Sequence, residues 1–260
     1  MEQTHGKLLD WLEEQFRAAG PMADVTGQAP DLSEADAYRL QVALMKRAVA
    51  RGDRHIGYKA ALTSKVMQER AGVSEPVMGC LLASGHLPDG GAVSLSTYLK
   101  CAVEPEVGVL LKRDLAGPGV TPLDALAAVE GYFAAIEVVD NRAGSGARSN
   151  AMRIVGSKFS GGIVLGSRLT APAGIDLRLE GVVTFINGVS QGSGTAIEVL
   201  GGPLNSVAAL ANKMAEVGET LRAGMVLMTG SVMGAMPVQA GDHVEVAFTR
   251  LGTASCAFTA

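Results

Sequence analysis

From residue 7 to 19, and again from 33 to 51, apolar residues recur at about every third or fourth position, the spacing that gives a helix one buried stripe. The second segment opens with Ser33 and has Asp36 three residues on, a pair that satisfies free amides in a first helical turn. Its stripe reads Ala35, Leu40, Ala43, Leu44 and Ala48. The loop GPMADVTGQAPDL separates the two helices. After HIGYKAALTS a short helical piece is expected over 64–71, followed by the turn-rich GVSEPVMG. From residue 92 onward the pattern changes to alternation, which predicts strands at 102–112, 132–139, 161–166, 181–187, 225–229, 243–249 and 254–259. Turns such as PDGG, AGPG, APAG and QAGD bound them. Two helices interrupt the strands. One starts at Thr121-Pro122, a capping residue followed by proline at the first helical position, and runs to about 130. The other spans 203–217 and ends at Gly218. Many short strands with two inserted helices predict an α+β fold rather than a regular βαβ series. The chain has no internal repeat and no low-complexity linker.

Composition narrows the classes of partner. The chain has 260 residues, 48% of them hydrophobic, enough for a sizeable core in one large domain or in one domain with a small appendage. A net charge of −4 without a long basic run gives no electrostatic footprint for nucleic acid or an anionic membrane surface. A small-molecule partner is therefore expected. Cys80, Cys101 and Cys256 are odd in number, far apart and without CxxC spacing, which argues against a disulfide framework or a thiolate zinc site and for a reducing, cytoplasmic setting. The start, MEQTHGKLLDWLEEQF, is charged and amphipathic rather than a signal peptide. No apolar run approaches the roughly 18 residues of a membrane span.

Chemistry concentrates in two strands. In CAVEPEV (101–107), alternation sends Glu104 and Glu106 to the same face. Like charges this close repel, and their burial is costly unless something positive lies between them. Glu137 sits inside the apolar strand FAAIEVV, between Ile136 and Val138. Three carboxylates on two neighbouring strands make an oxygen-rich cage suited to a hard divalent cation, Mg2+ or Mn2+, with water and a substrate oxygen completing the shell. The alternative is that Glu104 and Glu106 lie on an exposed face and Glu137 pairs with a core Arg or Lys. Ser160 and Thr229, each beside a glycine, are candidates to donate hydrogen bonds to a substrate carboxylate, or are ordinary turn residues. His5, His55, His86 and His243 have no partners at metal-ligand spacing. The glycine clusters do not follow the strand, GxGxxG, helix order of a dinucleotide site.

Taken together, IGYKAALTS, EPVMG, EPEVGVLLKRDL, AAIEVVDNR, LGGPLNSVAALANKM, MTGS and VQAGD, in this order and at these spacings, resemble the fumarylacetoacetate hydrolase superfamily. The closest branch is the 2-keto-4-pentenoate hydratase and 2-oxo-3-hexenedioate (4-oxalocrotonate) decarboxylase group, and the likeness runs from about residue 33 to the C-terminus. It implies a mixed β-sheet rolled on itself with peripheral helices. A small helical N-terminal region (1–75) would precede a β-rich catalytic domain (76–260). It implies that Glu104, Glu106 and Glu137 bind the metal, and that Lys59 contacts substrate beside it. A partly desolvated lysine there is expected to have a lowered pKa and to orient or protonate the substrate; the alternative is a surface lysine snorkelling from a strand.

Two positions depart from the family pattern. Val77 stands where hydratases of the group carry an acid and decarboxylases an apolar residue. Lys158 stands where the family has Asn, and it would change how a substrate carboxylate is held. The activity implied is that of a metal-dependent lyase of aromatic-compound catabolism, a hydratase adding water to an unsaturated 2-oxo acid such as 2-hydroxypenta-2,4-dienoate. The alternatives are 2-oxo-3-hexenedioate decarboxylation, acylpyruvate-type C–C hydrolysis, and a non-catalytic subunit. The resemblance also implies a homo-oligomer.

Overall fold

The computed structural model describes residues 2–18, 20–140, 142, 149–156 and 161–260, the first four by backbone alone. Two helices come first, α1 (Glu2–Arg17) and α2 (Glu34–Ala50). Ser33 caps α2 by accepting the Asp36 amide at 3.1 Å. The buried stripe is Ala37, Leu40, Leu44 and Met45, while Ala35 of the expected stripe is exposed. There follow β1 (His55–Ala61), α3 (Lys65–Ala71), β2 (Val77–Leu82), β3 (His86–Leu87), β4 (Gly91–Ser94) and β5 (Cys101–Leu111). Next are α4 (Pro122–Ala128), β6 (Val129–Asp140), α5 (Asn150–Gly156), β7 (Gly162–Leu165), β8 (Gly181–Ile186) and β9 (Val189–Thr195). The chain closes with α6 (Pro203–Ala215), β10 (Val226–Ser231), β11 (Met236–Pro237), β12 (His243–Phe248) and β13 (Gly252–Thr259).

The strands form two sheets. The larger runs β2-β1-β10-β5-β6-β7-β3, with β11 also paired to β5. It is mixed, because β1 with β10 and β3 with β7 are parallel while the other pairs are antiparallel. The smaller runs β4-β13-β12-β8-β9. Between β7 and β8 of the chain, the larger sheet approaches β13 so closely that a Cβ on Gly166 would stand 2.2 Å from the Thr253 carbonyl oxygen. Helix α2 covers the open edge of β2: the Tyr38 hydroxyl accepts the Met78 amide at 3.2 Å, and Gln41 Nε2 donates to the Met78 carbonyl at 2.8 Å. An edge strand is thereby kept from pairing with another chain. The architecture is the expected one, a mixed sheet curled on itself with helices around it.

Some elements differ from the pattern. Helix α4 stops at Ala128, because the chain enters the long β5–β6 ladder at Val129, opposite Leu111. Strands β1, β2, β3, β4, β9 and β11 and helix α5 lie outside the expected elements. Strand β1, from the segment that the sequence division assigns to the N-terminal region, is paired on both sides inside the larger sheet, so that sheet draws on residues from both sides of position 75.

Candidate metal centre

The long antiparallel pair β5–β6 builds the site. Its register sets Glu104 directly opposite Glu137, and Glu106 opposite Ala135. Directly opposed residues and those two apart on one strand share a face, so all three carboxylates converge. One oxygen from each lies within 4.8 Å of the others. Glu106 and Glu137 are fully buried, and Glu104 is half-buried. Lys59 comes from β1, where Gly79 and Met228 flank it on the neighbouring strands. Its Nζ donates to Glu137 Oε1 at 2.5 Å. Glu137 thus pairs with a buried lysine and also stands in one cluster with Glu104 and Glu106.

The surroundings on the buried side are apolar. Ile163 stands opposite Glu137 and Met228 opposite Lys59, and with Leu81 and Ala135 they form a small buried apolar cluster of their own. Desolvation disfavours charge. Burial, reinforced by Glu137, pushes the Glu104 carboxyl up to about 7. Glu106 is pushed well above the ordinary range by burial and by Glu137 and Glu104, against the opposing pull of the Gly230 amide and Lys59. Lys59 moves opposite to expectation. Burial works to lower its pKa, but Glu137 first, then Glu104 and Glu106, outweigh this and hold it raised. It is an ammonium at neutral pH.

The donor set fits a hard divalent cation. One ammonium faces three carboxyl groups, and the raised pKa values of Glu104 and Glu106 show that it does not satisfy them all. Glu106 Oε2 accepts the Gly230 amide at 2.8 Å, whereas buried Glu106 Oε1 has no hydrogen-bond partner. An orphaned carboxylate oxygen among two further carboxylates is the oxygen-only environment that Mg2+ or Mn2+ favours. Among the described residues this is the one cluster of such groups, and no histidine belongs to it. His55 instead meets the Gly57 carbonyl and packs edge-on against Tyr58.

The other expected site residues divide. Val77 is buried, opposite Ala61 of β1, and by alternation shares the face that carries Lys59. Thr229 does not join the site. Met228 pairs with Gly108 and Ser231 with Glu106, so Thr229 and Gly230 together oppose Val107 in a bulge. The Thr229 hydroxyl donates to the Val107 carbonyl at 2.9 Å, and it is the Gly230 amide that reaches Glu106. Lys158 and Ser160 lie outside the described residues. Gly230 was missed because its contribution is a backbone N–H; the signal available was the glycine inside MTGS.

A curled mixed sheet gathers three carboxyl groups, two of them fully buried, and an ammonium on one face, a donor set suited to a divalent cation and an oxygen-rich ligand. The chain belongs to the fumarylacetoacetate hydrolase family: the family model described as Fumarylacetoacetate (FAA) hydrolase C-terminal matches residues 11–259. It is 35% identical over 250 residues to 2-hydroxyhexa-2,4-dienoate hydratase of Comamonas testosteroni, covering 95% of each chain. It is also 35% identical over 251 residues to 4-oxalocrotonate decarboxylase of Pseudomonas putida, covering 96% of this chain and 95% of that one. Among solved structures, 4-oxalocrotonate decarboxylase from Pseudomonas putida G7, complexed with magnesium and adipate, superposes with a TM-score of 0.93 at 35% identity, over 99% of this chain and 97% of that one. The chain is an enzyme of the hydratase and decarboxylase type.

Proposed function

We propose that the chain is a metal-dependent lyase of aromatic-compound catabolism that adds water to an unsaturated 2-oxo acid such as 2-hydroxypenta-2,4-dienoate. The observation that carries this reading is the convergence of Glu104, Glu106 and Glu137 beside the Lys59 ammonium on one face. The three carboxylates would hold Mg2+ or Mn2+, as a relative of known structure holds magnesium. When bound, the cation supplies a Lewis acid for the carboxylate and ketone oxygens of a 2-oxo acid and stabilises negative charge on the ketone oxygen. Lys59 carries the proton. Its Nζ, fixed by Glu137 Oε1, is placed to donate a hydrogen bond to substrate and to pass that proton to a substrate atom. The cluster of Leu81, Ala135, Ile163 and Met228 keeps water from the base of the site.

Decarboxylation of 2-oxo-3-hexenedioate is the second reading, and one observation favours it. Val77, on the Lys59 face, offers no carboxyl to activate water. Purified enzyme with Mg2+, given each substrate while ultraviolet absorbance and carbon dioxide release are followed, separates the two. Loss of dienoate absorbance without gas supports hydration, and gas release from the hexenedioate supports decarboxylation. No turnover of either sinks the assignment.

We also place the enzyme in the cytoplasm as a homo-oligomer. Among the described residues no helix is long and apolar enough to cross a membrane. The exposed Leu123 and Leu126 of α4 border a groove with Pro172, Ile175 and Leu204, a surface that supports contact with a second copy.

A further inference from the structure

Three residues beyond Lys59, the backbone enters a conformation that side chains disfavour. Leu62 has φ 56°, in the left-handed region, and so does Leu200, with φ 50°. The second strained residue is tied to the chain neighbour of the first. The Leu200 amide donates to the Thr63 carbonyl at 2.9 Å. Gln68 of α3 donates Nε2 to the Leu62 carbonyl at 2.9 Å, and Asn205 of α6 donates Nδ2 to the Leu200 carbonyl at 2.8 Å. Strain persists where several contacts over-determine it, and such places serve function.

What this turn positions is Thr63. The residue is 4% exposed. It lies against Gly230: a Cβ at that glycine would stand 2.3 Å from Thr63 Oγ1, 2.5 Å from Cγ2 and 2.8 Å from Cβ. Thr63 thus occupies the room that only glycine leaves. Gly230 has φ 111°, is the second residue of the bulge in β10, and gives its amide to Glu106 Oε2.

We propose that Thr63 is a positioning residue for the metal centre. Its branched side chain, pressed on Gly230, locks the bulge so that the Gly230 amide holds Glu106 by one oxygen and leaves Oε1 available to a cation. The contribution is one of shape rather than of the hydroxyl. It rests on the reading that the cage binds a divalent cation.

The test is calorimetric titration of Mn2+ into the EDTA-stripped full chain, for the natural protein and for Thr63→Val, Thr63→Ala and Gly230→Ala, with folding of each followed by circular dichroism. Valine keeps both γ branches, so Thr63→Val is expected to bind within about twofold of the natural protein. Thr63→Ala is expected to weaken binding about tenfold, the scale for residues that orient metal ligands, and Gly230→Ala at least as much. Gly230→Ala introduces a clash and a strained φ, so the threonine variants decide the matter if it does not fold. A Thr63→Ala variant that unfolds at lower temperature but binds Mn2+ as tightly as the natural protein overturns the proposal, since that is the pattern of a purely structural role. Thr63→Val losing as much as Thr63→Ala also overturns it, by assigning the effect to the hydroxyl. Failure of the natural protein itself to bind Mn2+ is a separate result that removes the cage reading and the proposal with it.

Discussion

Lys59 is the counterion that lets three carboxylates share a buried face. Burial works to lower its pKa, yet the pull of Glu137, Glu104 and Glu106 holds it raised and keeps it an ammonium. Removing one partner of a buried ion pair typically costs about 3 kcal/mol, because the other charge is left uncompensated. Lys59→Met is therefore expected to lose about that much stability in EDTA, and less when saturating Mg2+ supplies a replacement positive charge. Urea unfolding in the two buffers measures the difference. An equal loss in both would show that lysine and cation do not share the task. At this scale the sequence was legible where alternation held. Glu104, Glu106 and Glu137 could be read onto one face because β5 and β6 are regular there. Thr229 could not, because the β10 bulge shifts the alternation by one residue and hands the functional contact to a glycine amide. The Lys59 charge state was also beyond the pattern, since it depends on three residues distant in sequence.

Among the elements, one junction has a pH dependence of its own. Asp24, just after the first helix, faces burial that would raise its pKa, but it accepts hydrogen bonds from the amides and hydroxyls of Thr26 and Ser149, which hold it at about 2, below the ordinary 3.8. Ser149 precedes α5, so this carboxylate ties the N-terminal segment to the start of that helix. A depressed carboxylate contributes stability that is complete above the unfolded value, near pH 4, and is lost as pH falls through 4 toward 2. Asp24→Asn is expected to unfold at lower urea than the natural protein at pH 7, with the gap narrowing at pH 3. A gap that stays constant or widens on acidification contradicts this role. Elements with strong local signals were readable: Ser33 and Ser64 cap α2 and α3, and Thr121 with Asp124 forms the box that opens α4. Those defined by partners were not. Strand β9, VSQGSGT, has hardly an apolar residue and is a strand because β8 offers it a ladder. Strand β1 includes a glycine at φ 156° and is fixed by neighbours on both sides.

For the whole molecule, the two sheets and their helices are a support for one short stretch of β5 and β6, and the fold family was legible because its motifs are spread along nearly the entire chain in order. The reaction was less so. Hydration and decarboxylation would use the same cage, so the carboxylates that the sequence pattern exposes do not distinguish them, and the sequence differences at Val77 and Lys158 are proposals for what does. What both reactions require is the cation. Titration of Mn2+ into the EDTA-stripped natural protein and into Glu137→Gln, both confirmed folded, tests that requirement. The expected result is saturable binding at one site per chain, weakened at least about tenfold in Glu137→Gln. Absence of binding in the natural protein, or an unchanged affinity in Glu137→Gln, would contradict the metal centre and the lyase chemistry built on it.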